Sequence, residues 1–199
     1  MAEPIEFFFD FSSPYAYLAS RKIDALAAKH GREVEWKPIL LGAIFKLTGM
    51  APLTSIPMKG DYMRHDFPRM ARLFDVPVTF PSPFPFSSIH AVRAVYWLKD
   101  VDPKAANALS RNLINAAFNG RDITAAQSVA DIAAEQGLDP AALLAAIETQ
   151  EVKDKTKAAN EAAIARGVFG APFIVVDGEP FWGADRLDQV DRWLETGGW

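Results

Sequence analysis

The sequence predicts an α/β fold: a strand–helix–strand opening, a long block of helices, and a closing hairpin followed by one more helix. Three observations carry this. Residues 4 to 11 form an apolar run (Ile5, Phe7, Phe8, Phe9, Phe11) that turns helical at Ser12-Ser13-Pro14. From about 42 to 166 nothing reads as a strand, and Ala-rich segments alternate with helix-start and helix-stop residues. The chain then returns to β structure, with "PFIVV" and "PFW" flanking Asp177-Gly178, a hairpin-turn pair.

Each element has a local reason. Ser before Pro14 is a standard helix start, because proline lacks only an N–H that would be orphaned there. Tyr15, Leu18, Ile23 and Leu26 continue at helical spacing, so residues 14 to 30 are expected as one helix stopped by Gly31. "EVEWKPIL", 33 to 40, alternates as a second strand with Pro38 at its edge or end. The run "LTGMAPLTSIPMKGD" reads as a loop, and a helix is expected from Tyr62 to Phe74. Four prolines in "VPVTFPSPFPF" rule out a helix there. Ser87 or Ser88 should cap a helix over 89–99, and Asp102-Pro103 should open another that ends near Gly120. Thr124 is expected to cap a helix ending at Gly137, Asp139-Pro140 repeats the start signal, and a last run covers 151–166. Asp185 should cap the final helix, through Leu194.

Composition narrows the chemistry. The 199 residues suffice for one globular unit or a domain with a large insertion. A net charge of −4 with no basic stripe argues against nucleic acid. No apolar run approaches the roughly 20 residues of a membrane span, and no basic segment precedes an apolar one at the start, so a cytoplasmic location is expected. There are no cysteines, which excludes disulfides, thiolate metal sites and a protein thiol nucleophile. Sulfur chemistry here would need sulfur from a ligand. His30, His65 and His90 lie far apart with no i,i+4 pair, so no metal site is expected and structural or surface roles fit them better.

Two strands with a crossover helix, closed by a hairpin and a helix, form the thioredoxin arrangement, here with an all-helical insertion. On "FFFDFSSPYAYLA", "KPILLGAIFK", "KGDYM" and "FGAPFIVVDGEPFWGADRL", taken in order, the chain resembles the DsbA-like branch of the thioredoxin superfamily. Within that branch it is similar to 2-hydroxychromene-2-carboxylate isomerases and kappa-class glutathione transferases. The resemblance implies a thioredoxin-like domain from 1–41 and 167–199, and an inserted helical domain from 42–166. It also implies glutathione as cofactor, a small aromatic carboxylate as substrate and a homodimer.

By that resemblance Ser13 stands where thioredoxins carry their reactive sulfur. Its hydroxyl would donate to glutathione's sulfur and, with the free N–H groups of the helix start, favour the thiolate. Ser12 remains an alternative, since caps are hard to place within a residue. Ala171-Pro172 would be the cis-proline loop that pairs with the ligand's main chain. In "WGADRL", Asp185 would take the γ-glutamyl ammonium, with the main chain of Ala184 and Arg186 taking the carboxylate beside Trp182 and Gly183. Lys59 matches a loop lysine that pairs with a glycyl or substrate carboxylate. Trp36, Phe45, Met50, Phe84, Phe86 and Trp182 are expected around an aromatic substrate, although core packing fits most of them as well. "SPYAYLA" and "WGADRL" favour the isomerase branch over a kappa-like transferase. Gly49-Met50 and Phe84 depart from the Gly-Asn and tyrosine expected there. A thioredoxin-fold binding module without catalysis is the alternative from another class.

Overall fold

The computed structural model describes residues 3–199. Strand β1 (Ile5–Phe9) runs into helix α1 (Pro14–Ser20), then α2 (Ile23–Lys29) and strand β2 (Val34–Pro38). The expected single helix over 14–30 is therefore broken. Ser20 Oγ donates back to the Tyr17 carbonyl at 2.6 Å, and the N–H groups of Arg21 and Lys22 bond three residues back rather than four. That tightens the last turn of α1 and ends it.

Helix α3 (Leu41–Thr48) is not foreseen by the sequence reading. Its cap is remote: the Leu41 N–H donates to Asp10 Oδ2 at 2.8 Å and the Leu40 N–H to Asn160 Oδ1 at 2.8 Å. Helix α4 (Lys59–Leu73) starts three residues before the expected Tyr62. Helices α5 (Ile89–Lys99), α6 (Pro103–Ala117), α7 (Ala126–Ala134), α8 (Pro140–Ala146) and α9 (Gln150–Ala165) follow. Asp102 and Asp139 cap α6 and α8 through their side chains, as expected. Thr124 does not cap α7: Ala125 holds that position, while the Thr124 N–H donates to Asp122 in a turn of its own. Strands β3 (Phe173–Val176) and β4 (Glu179–Trp182) form the closing hairpin, and helix α10 (Leu187–Thr196) ends the chain.

The sheet order is β2-β1-β3-β4, with β1 parallel to β2 and β3 antiparallel to both β1 and β4. Strand alternation divides its two faces. Phe7, Phe9, Trp36, Ile174 and Val176 join a large core that also takes in Phe67, Val92, Leu113 and Val129 from the helical block. Phe8, Phe173 and Val175 point the other way and pack with Ile44 of α3 and Ala163 of α9. No helix among the described residues is long and apolar enough to cross a membrane.

Candidate active site

Register brings remote segments together. Phe8 pairs with Phe173, and Phe173 with Trp182. The end of β1, the start of β3 and the end of β4 therefore meet at one end of the sheet. There the β1–α1 turn, the 170–172 loop and the Gly183–Arg186 turn face α3, α4 and the 84–89 segment across a cleft of about 1520 Å³. Of the candidate residues, Ser13, Phe45, Met50, Lys59, Phe84, Ala171, Pro172, Trp182, Gly183, Ala184, Asp185 and Arg186 all line this cleft, as does Phe86. Trp36 does not. It is fully buried, edge-on to Phe7 and Phe9, with Nε1 donating to Asp24 at 3.1 Å. Its position on β2 points it into the core under the sheet, so the expectation of a substrate wall there is corrected.

The two serines divide their tasks. Ser12 Oγ donates to Asp10 Oδ1 at 2.8 Å. Ser13 is the N-cap of α1: its Oγ accepts from the Ala16 N–H at 3.2 Å and donates to the Ala171 carbonyl at 3.1 Å. Ser13 thus joins the strand–helix turn to the loop opposite, and Ser12 is held by the carboxylate below. The Ala171–Pro172 bond is cis. The Ala171 carbonyl, one of the two main-chain groups expected to pair with a ligand, is taken by Ser13, while its N–H has no main-chain partner among the described residues.

Asp185 is not the cap of the last helix. It lies in a 3-10 turn, Ala184–Arg186, with Arg186 at the N-cap of α10 and no side-chain capping bond. Gly183 precedes the turn at φ 117°, and a Cβ there would collide with Asp185 Oδ1. The exposed carboxylate is folded back over the glycine, with Arg186 3.6 Å away. The Arg186 N–H, expected to meet the ligand's carboxylate, instead bonds the Gly183 carbonyl, which corrects that expectation. Among the described residues the Ala184 and Asp185 N–H groups lack main-chain acceptors, as the first donors of a helical turn do. An indole over Gly170 completes this side: a Cβ on Gly170 would come within 2.5 Å of Trp182 Nε1.

Helix α4 forms the opposite wall. Lys59 is its first residue rather than part of a loop, and Gly60 lets this turn press against the Thr54 carbonyl. Tyr62, Asp66 and Arg69 follow Lys59 at helical spacing on the cleft face. Asp66 accepts from Tyr15 at 2.8 Å, from Tyr62 at 3.3 Å and from Arg69. Burial pushes its carboxyl up, but the bonds from Tyr15, Arg69 and Tyr62 outweigh this and hold it below the usual range. The Tyr15 hydroxyl is pushed up by burial and then by Asp66. The sequence reading assigns no role to this cluster or to Asp10, and Ser88, expected as a cap, holds the N-cap position of α5 while its hydroxyl donates to Asp10. The signal available was a charge inside an apolar run, in "FFFDF", and polar residues on one stripe of an amphipathic helix.

A thioredoxin-type sheet, a serine capping the helix after its first strand and a cis-proline loop bonded to that serine define a thioredoxin-like protein without cysteine. The chain belongs to the DSBA-like thioredoxin domain family, whose model matches residues 4–195. It is 31% identical over 196 residues to a 2-hydroxychromene-2-carboxylate isomerase of Sphingobium xenophagum, covering 98% of this chain and 99% of that one. It is 29% identical to glutathione S-transferase kappa 1 of Rattus norvegicus, over 96% and 92% of the two chains. A solved structure of a 2-hydroxychromene-2-carboxylate isomerase superposes with a TM-score of 0.86 at 26% identity, covering 96% and 94%.

Proposed function

We propose that this protein is a glutathione-dependent isomerase of conjugated aromatic 2-oxo acids or hydroxychromene carboxylates. The observation that carries the reading is Ser13: a buried hydroxyl at the strand–helix junction, bonded to the Ala171-Pro172 loop at the wall of a largely apolar cleft in a protein without cysteine. The residues fit the tripeptide. The free Ala171 N–H offers a strand-type partner for its main chain. Asp185 beside the free Ala184 and Asp185 N–H groups suits an ammonium and a carboxylate on one carbon. Lys59 is a cation for the glycyl carboxylate or the substrate's.

When bound, glutathione supplies a sulfur nucleophile that adds to a conjugated system, permits bond rotation and is returned on elimination. The chain's own part is to hold that sulfur charged and the substrate in place. Ser13 rotates its hydroxyl from the Ala171 carbonyl toward the sulfur, while its oxygen keeps the Ala16 N–H. Phe45, Met50, Phe84 and Phe86 exclude water around the aromatic body. The 29% identity to a kappa-class transferase supports a second reading in which the sulfur stays on the product. Incubation with glutathione and a hydroxychromene carboxylate separates the two. Isomerisation at constant glutathione is expected, consumption marks a transferase, and no reaction with either leaves a binding module. Aromatic catabolism in the cytoplasm and a homodimeric state complete the proposal by analogy with the family.

A further inference from the structure

Asp10 follows the last residue of β1 and is 4% exposed, at the floor of the cleft. Every hydrogen bond it accepts comes from a neutral group. Oδ1 takes the Ser12 N–H and hydroxyl, both at 2.8 Å, and the Ser88 hydroxyl at 3.2 Å; Oδ2 takes the Leu41 N–H at 2.8 Å. Asp66, also buried, has Arg69 beside it; among the described residues no cation bonds Asp10. A carboxylate out of water without a counter-ion is held by dipoles alone, and burial pushes its carboxyl up. The titratable groups of the adjoining helices are otherwise placed: Tyr15 of α1 is bonded to Asp66, Lys46 of α3 lies on the cleft wall, and His90 of α5 is 4.0 Å from Glu148.

The four donors are of two kinds. The N–H groups of Ser12 and Leu41 cannot reverse, and they fix the carboxyl in either protonation state. The hydroxyls of Ser12 and Ser88 can turn and accept. Oδ1 can therefore carry a proton aimed at either serine without losing a partner. Ser12 also lines the cleft next to Ser13, so its hydroxyl connects Asp10 with the space where a ligand sulfur would sit.

We propose that Asp10 is the internal proton acceptor of the cleft, taking through the Ser12 hydroxyl the proton lost by a thiol bound at Ser13. This rests on the glutathione reading. In the step the S–H bond breaks and its electron pair stays on sulfur. The Ser12 oxygen gains the thiol proton as it passes its own to Asp10 Oδ1. Carboxylate and thiol become carboxyl and thiolate, so the site carries one negative charge throughout, and two like charges never face each other in a buried place. The reverse step returns the proton when the ligand leaves.

The test uses the wild-type protein near neutral pH, with glutathione and with S-methylglutathione, which has no thiol proton. Infrared difference spectra, with Asp10→Asn to assign the band, follow the Asp10 carboxyl. Glutathione should convert carboxylate to carboxyl, and S-methylglutathione should not. Calorimetry in buffers of different ionisation enthalpy should find almost no proton released by wild type as the thiolate forms. Asp10 remaining ionised with glutathione bound as thiolate, or protonated already in the free protein, overturns the proposal while leaving the glutathione reading intact. Failure of both tripeptides to bind removes the two together. Should Asp10→Asn not fold, the comparison of the two ligands still decides. Ser12→Ala, which keeps three of the four donors, should slow thiolate formation in stopped flow by about 10²-fold; an unchanged rate overturns the path through Ser12.

Discussion

Ser13 stands between two uses of one oxygen. As a cap it accepts the Ala16 N–H, and as a donor it reaches the Ala171 carbonyl. Ser13→Ala removes both, so a stability loss of about 1 kcal/mol is expected from the cap. If the hydroxyl also serves a thiolate, turnover per folded molecule should fall by roughly 10²–10³. Steady-state rates beside urea titrations separate the two effects, and an unchanged rate would reduce Ser13 to a cap. Asp185 gives the opposite pattern. It caps nothing, so Asp185→Ala should leave Tm unchanged while glutathione affinity drops, as calorimetry can measure. Gly183→Ala should weaken the same ligand through displacement of the Asp185 carboxylate. It should also cost on the order of 1–3 kcal/mol, because φ 117° belongs to glycine.

At the scale of elements, what was legible depended on how local the cause was. Asp102, Asp139 and Ser13 sit next to the helices they start, and those starts could be read directly. Helix α3 is capped by Asp10 and preceded by a bond to Asn160, partners 31 and 120 residues away, and no local pattern carries that information. The same holds for α4. Its cleft-facing stripe of Lys59, Tyr62, Asp66 and Arg69 is visible as spacing, but that it faces Tyr15 is a consequence of packing. Asp66 makes this contact testable. Its carboxyl is held below the unfolded value, so the ionised form contributes stability above the unfolded carboxylate range, near pH 4. That contribution is lost as pH falls through the lowered folded value. Asp66→Asn should accordingly narrow the stability gap to wild type as acid is added, and should widen it again toward neutral pH. Urea midpoints measured across that window decide; a constant gap would mean that the Tyr15, Tyr62 and Arg69 contacts do not favour the charged form.

For the whole molecule, the question is whether the helical block from 42 to 166 is a unit of its own. Its interior is not. Phe67, Val92 and Leu113 belong to the same buried cluster as Phe7, Phe9 and Ile174 of the sheet. Trp36 shows the join in detail: its ring lies against Phe7 and Phe9, Arg111 of α6 sits over it at 5.1 Å, and both it and Arg111 bond Asp24 of α2. A residue that sequence reasoning assigned to a substrate wall is thus where sheet and insertion meet, because an aromatic at the edge of a helical block reads the same in either role. Splitting the chain would expose this shared surface on both pieces, and burial of apolar area is the main force for folding each. Residues 42–166 expressed alone should therefore lack a cooperative thermal transition, whereas the full chain should unfold in one step by fluorescence and by far-UV dichroism alike. Trp36→Ala should lower that single midpoint by the equivalent of about 3–5 kcal/mol. In the molecules still folded, KM for substrate should stay as it is. Two separated transitions in the full chain, only one of them moved by Trp36→Ala, would mean that the insertion folds on its own and that the common core is not what holds the cleft together.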